Sequence, residues 1–467
     1  MRLSRVLALL CAVTIWAPAQ VPWPTAGWQT STPEAEGMRT AKLEEADAWL
    51  RQRAGLLPGS EGGNRYSFLV VRNGRIVFER YYNGASAGDA LHVASVSKSL
   101  LSGLAGIAVG QGIISLDEKW FDTFPQYRPA VRDPRTLELS ARNILMMTGG
   151  LEWREDRDIV ATLFSPEWLT YVLSRGFIAP PGEAFNYSTG LSHTMSALLA
   201  EKSHLTTREF AERNLFGPIG MRIGDWWTDP KGYHGGGWGM HTTARDLAKF
   251  GYLYLHEGEW NGQQIVPREW IRVSTSPLIR SGSGDDDFYG YFWRMDNRRG
   301  FFMPDASGMG DQHLWYSRDL DLVVVTTGKW DYLFETGDMW HLMHDFVVPA
   351  VFSGPPAVNS GGVVNAAGGR TVAAPDSFVS IYGTNLAPVP VSWDSVILDG
   401  ATLPVELGAV SVKVSGKPAW LSYSGPDQVN IVVPPDVQPG TADVEITHPG
   451  GTFKTTVTVA PVSPGLF

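Results

Sequence analysis

Leu100 to Val109 is a run of small and apolar residues that carries no charge, and such a run is accommodated as a buried helix at the centre of a fold. Just before it the chain reads Leu91-His92-Val93-Ala94-Ser95-Val96-Ser97-Lys98-Ser99. Ser95 is thereby placed at the N-terminal end of the helix, where backbone N–H groups converge, and Lys98 one turn further along the same face. A hydroxyl near the positive end of a helix and an amine within reach of its proton are two parts of a nucleophile. Ser-x-x-Lys alone reads equally well as a helix cap followed by a solvated lysine, so the rest of the chain has to decide.

Length and charge narrow the classes. The chain has 467 residues, 43% of them hydrophobic, enough for two or three domains with at least one sizeable core. The net charge is −10 and the Lys and Arg residues are scattered, so no basic face suits nucleic acid or an anionic membrane. Met1 to Arg5 carries two arginines, Val6 to Trp16 is an apolar run too short to span a bilayer, and Ala17-Pro18-Ala19 offers small residues before a cleavage near Gln20. Residues 1–19 therefore read as an export signal, and the product is expected to be secreted or periplasmic. Cys11, the one cysteine, lies inside that signal, which leaves the mature chain without a thiol or disulfide. No later apolar run reaches membrane-spanning length.

Further along, Thr40 to Arg53 has helical spacing, and Tyr66 to Arg72 and Arg75 to Tyr82 are β-prone runs flanking Asn73-Gly74, a two-residue hairpin signal. Helical patterns follow at Ser140 to Met147, Pro166 to Arg175, Leu191 to Ser203, Thr207 to Leu215 and Thr243 to His256. Gln312 to Ser317 and Leu320 to Thr327 read as a second strand pair, and Met339 to Val348 as a closing helix. Strands at both ends with helices between predict an α+β domain over residues 20–353, its antiparallel sheet joining N- and C-terminal segments around a helical insertion. At Ser353-Gly354-Pro355-Pro356 the composition shifts to short Val- and Thr-rich runs, and residues 354–467 are expected to form a separable all-β immunoglobulin-like sandwich.

Two further segments bear on chemistry. Pro180 to Gly190 is a loop running into a helix, and it delivers the Tyr187 hydroxyl from a rigid turn. A serine hydroxyl needs a neighbour to take its proton and later return one to the leaving group, a task that Lys98 and Tyr187 can share; which of them holds the proton stays open. Ala306-Ser307-Gly308-Met309-Gly310-Asp311-Gln312 is a small-residue segment leading into a strand, where backbone can approach a substrate closely. The N–H groups of Ser95 and Gln312 are expected to form an oxyanion hole.

Ser95-Val96-Ser97-Lys98, Tyr187-Ser188-Thr189 and Ser307-Gly308-Met309-Gly310-Asp311-Gln312, in this order, resemble the three motifs of the class C β-lactamase-like serine hydrolases, a family shared by penicillin-binding proteins, D-aminopeptidases, esterases and 6-aminohexanoate-dimer hydrolases. Gly235 to Gly251 is similar to a characteristic loop and helix of the same family. The resemblance implies the family's fold, Ser95 as acyl-enzyme nucleophile, and Lys98 and Tyr187 as base and acid. It also marks Thr189, Met309, Gly310 and Asp311 as substrate-binding positions, and there the chain departs. Thr189 stands in the asparagine position of Tyr-x-Asn, and Met309-Gly310-Asp311 stands where β-lactamases have Lys-Thr-Gly, so the usual cation for a substrate carboxylate is missing. The tail resembles C-terminal modules of secreted bacterial proteins through Val363 to Ala367, Ile381 to Leu386 and Ala460 to Phe467, which implies cell-surface or polymer contact and no chemistry.

Other features weigh less. His341 and His344 share a helical face but lack a third ligand, and Asp285-Asp286-Asp287 reads as a solvated loop, so no metal site and no cofactor are expected. Trp153, Trp238, Trp293 and Trp315 are candidate cleft walls. The function expected is hydrolysis of a small ester, amide or peptide through Ser95; the rival is a non-catalytic penicillin-recognising or cell-wall-binding protein on the same fold.

Overall fold

The computed structural model describes residues 23–52, 65–282, 288–296, 298–328, 339–396 and 403–464; the segment read as an export signal and Asp285 to Asp287 lie outside them. Its centre is a nine-stranded sheet built from β1 (Gln29–Thr30), β2 (Arg65–Arg72), β3 (Arg75–Tyr81), β4 (Ile279–Arg280), β5 (Phe288–Tyr289), β6 (Arg294–Asp296), β7 (Met303–Gly308), β8 (Gln312–Ser317) and β9 (Leu322–Gly328), in the order β1-β3-β2-β9-β8-β7-β6-β5-β4. The hairpin turn falls at Asn73-Gly74, both residues with positive φ (49° and 72°), the hand that matches the twist of the flanking strands. Strand β9 pairs with β2 on one side and β8 on the other, so the two ends of the first segment close on one another.

The sheet is covered on both faces, which is why its central strands read as almost unbroken apolar runs. Leu69, Val71, Val323 and Val325 face a core shared with α2 (Val96–Gly110) and α5 (Ala244–Leu255), whereas Phe68, Val70 and Val324 face α1 (Thr40–Gln52) and the helical turns Leu342–Val347 and Val348–Ala350. Between α2 and α5 lies the helical insertion, of which α3 (Glu155–Leu163) and α4 (Thr189–Ser203) matter most below. The sequence reading missed β4 to β6 and left Met303–Gly308 outside a strand. These strands are two to six residues long and take their regularity from pairing, not from an apolar repeat of their own.

From Ala357 onward the chain forms two antiparallel-rich sheets. One contains Ala357–Asn365, Phe378–Thr384, Gln428–Val432, Trp420–Ser424 and Val391–Ser392; the other runs through Gly451–Val459, Gly440–His448 and Val410–Val414. Their inward residues, among them Ile381, Ile431, Val412 and Ile446, belong to the same apolar cluster as Phe301, Met303, Val351 and Phe352 of the preceding segment. The two parts thus share a core across the expected boundary at Ser353. Backbone bonds add to it: Gly408 N–H donates to the Gly300 carbonyl at 3.0 Å and Ala409 N–H to that of Arg299 at 2.5 Å. Gly300 has φ +63°, and a Cβ there would lie 2.6 Å from the Leu407 Cα, so the β6–β7 loop is gripped by the C-terminal sheets.

Candidate active site

Ser95 stands at the cap position of α2 with φ −71° and ψ −8°, yet its side chain makes no capping bond. The hydroxyl instead accepts from the Lys98 ammonium at 2.8 Å. Ala94, immediately before it, is held at φ +46°, a left-handed conformation that costs a non-glycine residue roughly 1 kcal/mol. Its carbonyl is pinned by the Ser97 hydroxyl at 2.7 Å and its N–H by His92 Nδ1 at 3.2 Å. The backbone thus turns sharply just before Ser95.

Lys98 is buried, with 1% of its surface exposed. Besides Ser95 it donates to Thr189 Oγ1 at 2.8 Å and to the Gly237 carbonyl at 3.3 Å, and it stands 4.7 Å from the centre of the Tyr187 ring. Gly237 belongs to the glycine-rich loop, and a Cβ on it would come within 2.9 Å of Lys98 Nζ. Tyr187 is positioned by its neighbours: Asn186 N–H donates to the Met147 carbonyl at 2.8 Å, Asn186 Nδ2 to the Leu151 carbonyl at 2.8 Å, and Ser188 caps α4 through Leu191 N–H. Tyr289 meets the Tyr187 ring edge-on at 88°.

A narrow cleft opens on this group, lined by Ser95, Ser99, Tyr187, Tyr289, Phe292, Arg294, Asp305 and Ser307. Arg294 and Asp305 are cross-strand partners on β6 and β7, and the guanidinium lies 5.3 Å from the Tyr187 ring centre. No lysine stands at Met309, but a different cation, Arg294, reaches the cleft from β6. His313 holds both Asp305 carboxylate oxygens at 3.1 Å and stacks on Trp315.

The third predicted segment sits differently from the expectation. Gln312 is fully buried in β8, paired in register with Gly308, and its side-chain amide donates to the Gly328 carbonyl at 2.6 Å. It is Gly308 that lies against Ser95: a Cβ there would sit 2.9 Å from Ser95 N. Met309, Gly310 and Asp311 form the turn between β7 and β8, and Asp311, at φ +61°, is 5% exposed and does not line the cleft. None of the four tryptophans lines it either. Trp153 packs with Leu151 and Val172, Trp238 stacks on Trp168, Trp293 is enclosed by Phe250, Tyr254 and Tyr316, and Trp315 belongs to the core on the opposite face of the sheet. Indole area that suits a cleft wall suits a core equally.

Sequence reasoning also missed Glu155 at the start of α3. Its Oε1 accepts from the Thr189 hydroxyl at 2.7 Å and from Thr189 N–H at 2.6 Å. Burial pushes this carboxyl above its ordinary range, with Lys98 pulling the other way. Its signal in the sequence is faint, an acidic residue in a helix's first turn, which ordinarily reads as dipole compensation. A buried lysine between a serine hydroxyl and a tyrosine, beside a helix N-terminus, can activate a nucleophile and manage its protons.

The beta-lactamase family model matches residues 50–347. The chain belongs to the beta-lactamase family. It is a family of serine hydrolases that includes amidases and esterases. An uncharacterised protein of Alkalihalophilus pseudofirmus is 30% identical over 229 residues, 45% of this chain and 64% of that one, a little under two thirds of its length. The 6-aminohexanoate-dimer hydrolase of Paenarthrobacter ureafaciens is 25% identical over 294 residues, 56% of this chain and 72% of that one. Among solved structures, EstCE1, a hydrolase with promiscuous acyltransferase activity, shares the fold with a TM-score of 0.54 at 16% identity, covering 67% of this chain and 99% of that one.

Proposed function

We propose that this chain is an exported serine hydrolase that cleaves a small ester, amide or peptide bond through an acyl-enzyme on Ser95. The observation that carries the reading is the 2.8 Å contact from a buried Lys98 to a Ser95 hydroxyl free of any capping bond. In the proposed reaction Oγ bonds to the substrate carbonyl carbon as its proton leaves, the developing oxyanion lies at the Ser95 N–H beside Gly308, and Lys98 and Tyr187 carry the proton on to the leaving group. Water then repeats the sequence on the acyl-enzyme. Residues 1–19 serve as the export signal and residues 20–353 as the hydrolase domain. Residues 354–467 are read as an immunoglobulin-like module, and the location as secreted or periplasmic.

Small amide and ester substrates are favoured by the names of the relatives: one acts on the 6-aminohexanoate dimer, and another carries acyltransferase activity. No cofactor enters the proposed steps. The test is labelling with a fluorophosphonate and with a fluorescent penicillin, followed by mass spectrometry of the modified peptide. Modification at Ser95, lost in Ser95→Ala, is expected; an unlabelled, folded protein without esterase or amidase turnover would refute the enzyme and favour a binding platform.

A further inference from the structure

Lys98 carries more protons than a base can use. Its side chain donates to three acceptors, Ser95 Oγ, Thr189 Oγ1 and the Gly237 carbonyl, a full set for an ammonium. Before it can accept the serine proton it must release one of its own, and Lys98 is shut off from solvent. Thr189 gives that release a direction. Its hydroxyl accepts from Lys98 and donates to Glu155 Oε1, so a continuous line of hydrogen bonds runs from ammonium to carboxylate. The other carboxylate oxygen, Oε2, is out of solvent, with the Trp153 indole beside it but not completing a hydrogen bond.

Building on the hydrolase reading, we propose that Glu155 stores the Lys98 proton through Thr189. One proton passes from Lys98 Nζ to Thr189 Oγ1 while the Thr189 hydroxyl proton passes to Glu155 Oε1. Lys98 becomes an amine, Glu155 a carboxylic acid, and Thr189 is unchanged in composition. The amine then takes the Ser95 proton as Oγ bonds to the carbonyl carbon. Two buried charges become two neutral groups, which the surrounding low dielectric favours, and burial already raises the proton affinity of Glu155. Asparagine, which stands at the Thr189 position in the β-lactamases this chain resembles, has no hydroxyl for such an exchange. Glu155 never touches substrate and is a positioning residue. The titratable groups around it are Lys98 of α2 and Tyr289 of β5, with Tyr187 and Arg294 beyond Tyr289.

The test measures kcat and KM for p-nitrophenyl butyrate between pH 5 and 10, with fluorophosphonate labelling of Ser95 alongside. Glu155→Gln retains an acceptor for Thr189 but takes no proton. It is expected to lower kcat at pH 7 by about 10²-fold with KM little changed, the scale of a lost proton-transfer partner. Its pH profile should depart from the parental one, because the carboxyl that takes the proton is gone. Thr189→Val should behave alike and Thr189→Ser should stay near parental, which decides the matter even if Glu155→Gln does not fold. Equal losses in Thr189→Ser and Thr189→Val, or a Glu155→Gln enzyme with the parental kcat and pH profile, would overturn the relay. A parental protein that fluorophosphonate does not label at Ser95 would instead remove the hydrolase reading, and the relay with it.

Discussion

Gly308→Ala probes the cleft with one methyl group. The added Cβ would lie 2.9 Å from Ser95 N and 2.8 Å from the Val93 carbonyl oxygen. The first distance is that of an N–H donor to an oxygen it stabilises, so the methyl occupies the place where a tetrahedral intermediate would put its oxyanion. Loss of one such donor costs about 10²- to 10³-fold in kcat, about 2.7–4 kcal/mol. Relieving the two close contacts costs a further 1–3 kcal/mol or so of stability, as overpacking generally does. Burst kinetics with p-nitrophenyl butyrate and a melting curve separate the two effects. The expected result is a folded variant whose acylation rate falls at least a hundredfold while KM changes by a few fold. A variant turning over within threefold of the parent would refute the assignment of that space to the oxyanion.

Arg294→Ala should lower kcat/KM for penicillins, which carry a carboxylate, by roughly ten- to a hundredfold, the loss of one charge-assisted contact of about 1.5–3 kcal/mol. Neutral aryl esters should be nearly unaffected, and an equal loss on both would show that Arg294 acts through the Tyr187 ring. Burial lowers the His92 pKa to about 3, with His241 adding to the effect. The unfolded chain binds the extra proton below about pH 6.5, so stability is full above that pH and declines as pH falls toward 3, by up to about 1.4 kcal/mol per unit. Denaturant titrations from pH 7 to 4 should show a shallower decline for His92→Asn than for the parent; parallel curves would argue against it. Ending the chain at Ser353 exposes Phe301, Met303, Val351 and Phe352 and should lower Tm by several degrees or yield insoluble protein. A soluble product with the parental Tm and activity would show that the shared core is dispensable.

What could be read from the sequence was local. Asn73-Gly74 determines its own turn, and Ser95 and Lys98 lie one helical turn apart, so their contact follows from spacing alone. Glu155 meets Thr189 across 34 residues and two helices, and Arg294 meets Asp305 through a strand register that no apolar period announces. Gly308 and Gln312 face each other across a three-residue turn, and proximity in sequence to the motif does not tell that Gly308 approaches Ser95 so closely. The tryptophans were misplaced for a plainer reason, since a large ring is equally at home in a packed interior. The C-terminal strands were recognisable from composition, but their union with the hydrolase core was not, because interface residues such as Leu407 and Ala409 look like any sandwich interior.

The grip of Leu407, Gly408 and Ala409 on the Arg299–Gly300 loop makes the last quarter of the chain a foundation for the reaction centre. From the gripped loop, β6 and β7 run as a paired ribbon through Arg294 and Asp305 to Gly308. Immobilising the enzyme on a bead through its C-terminus therefore loads the strands that form the wall of the cleft.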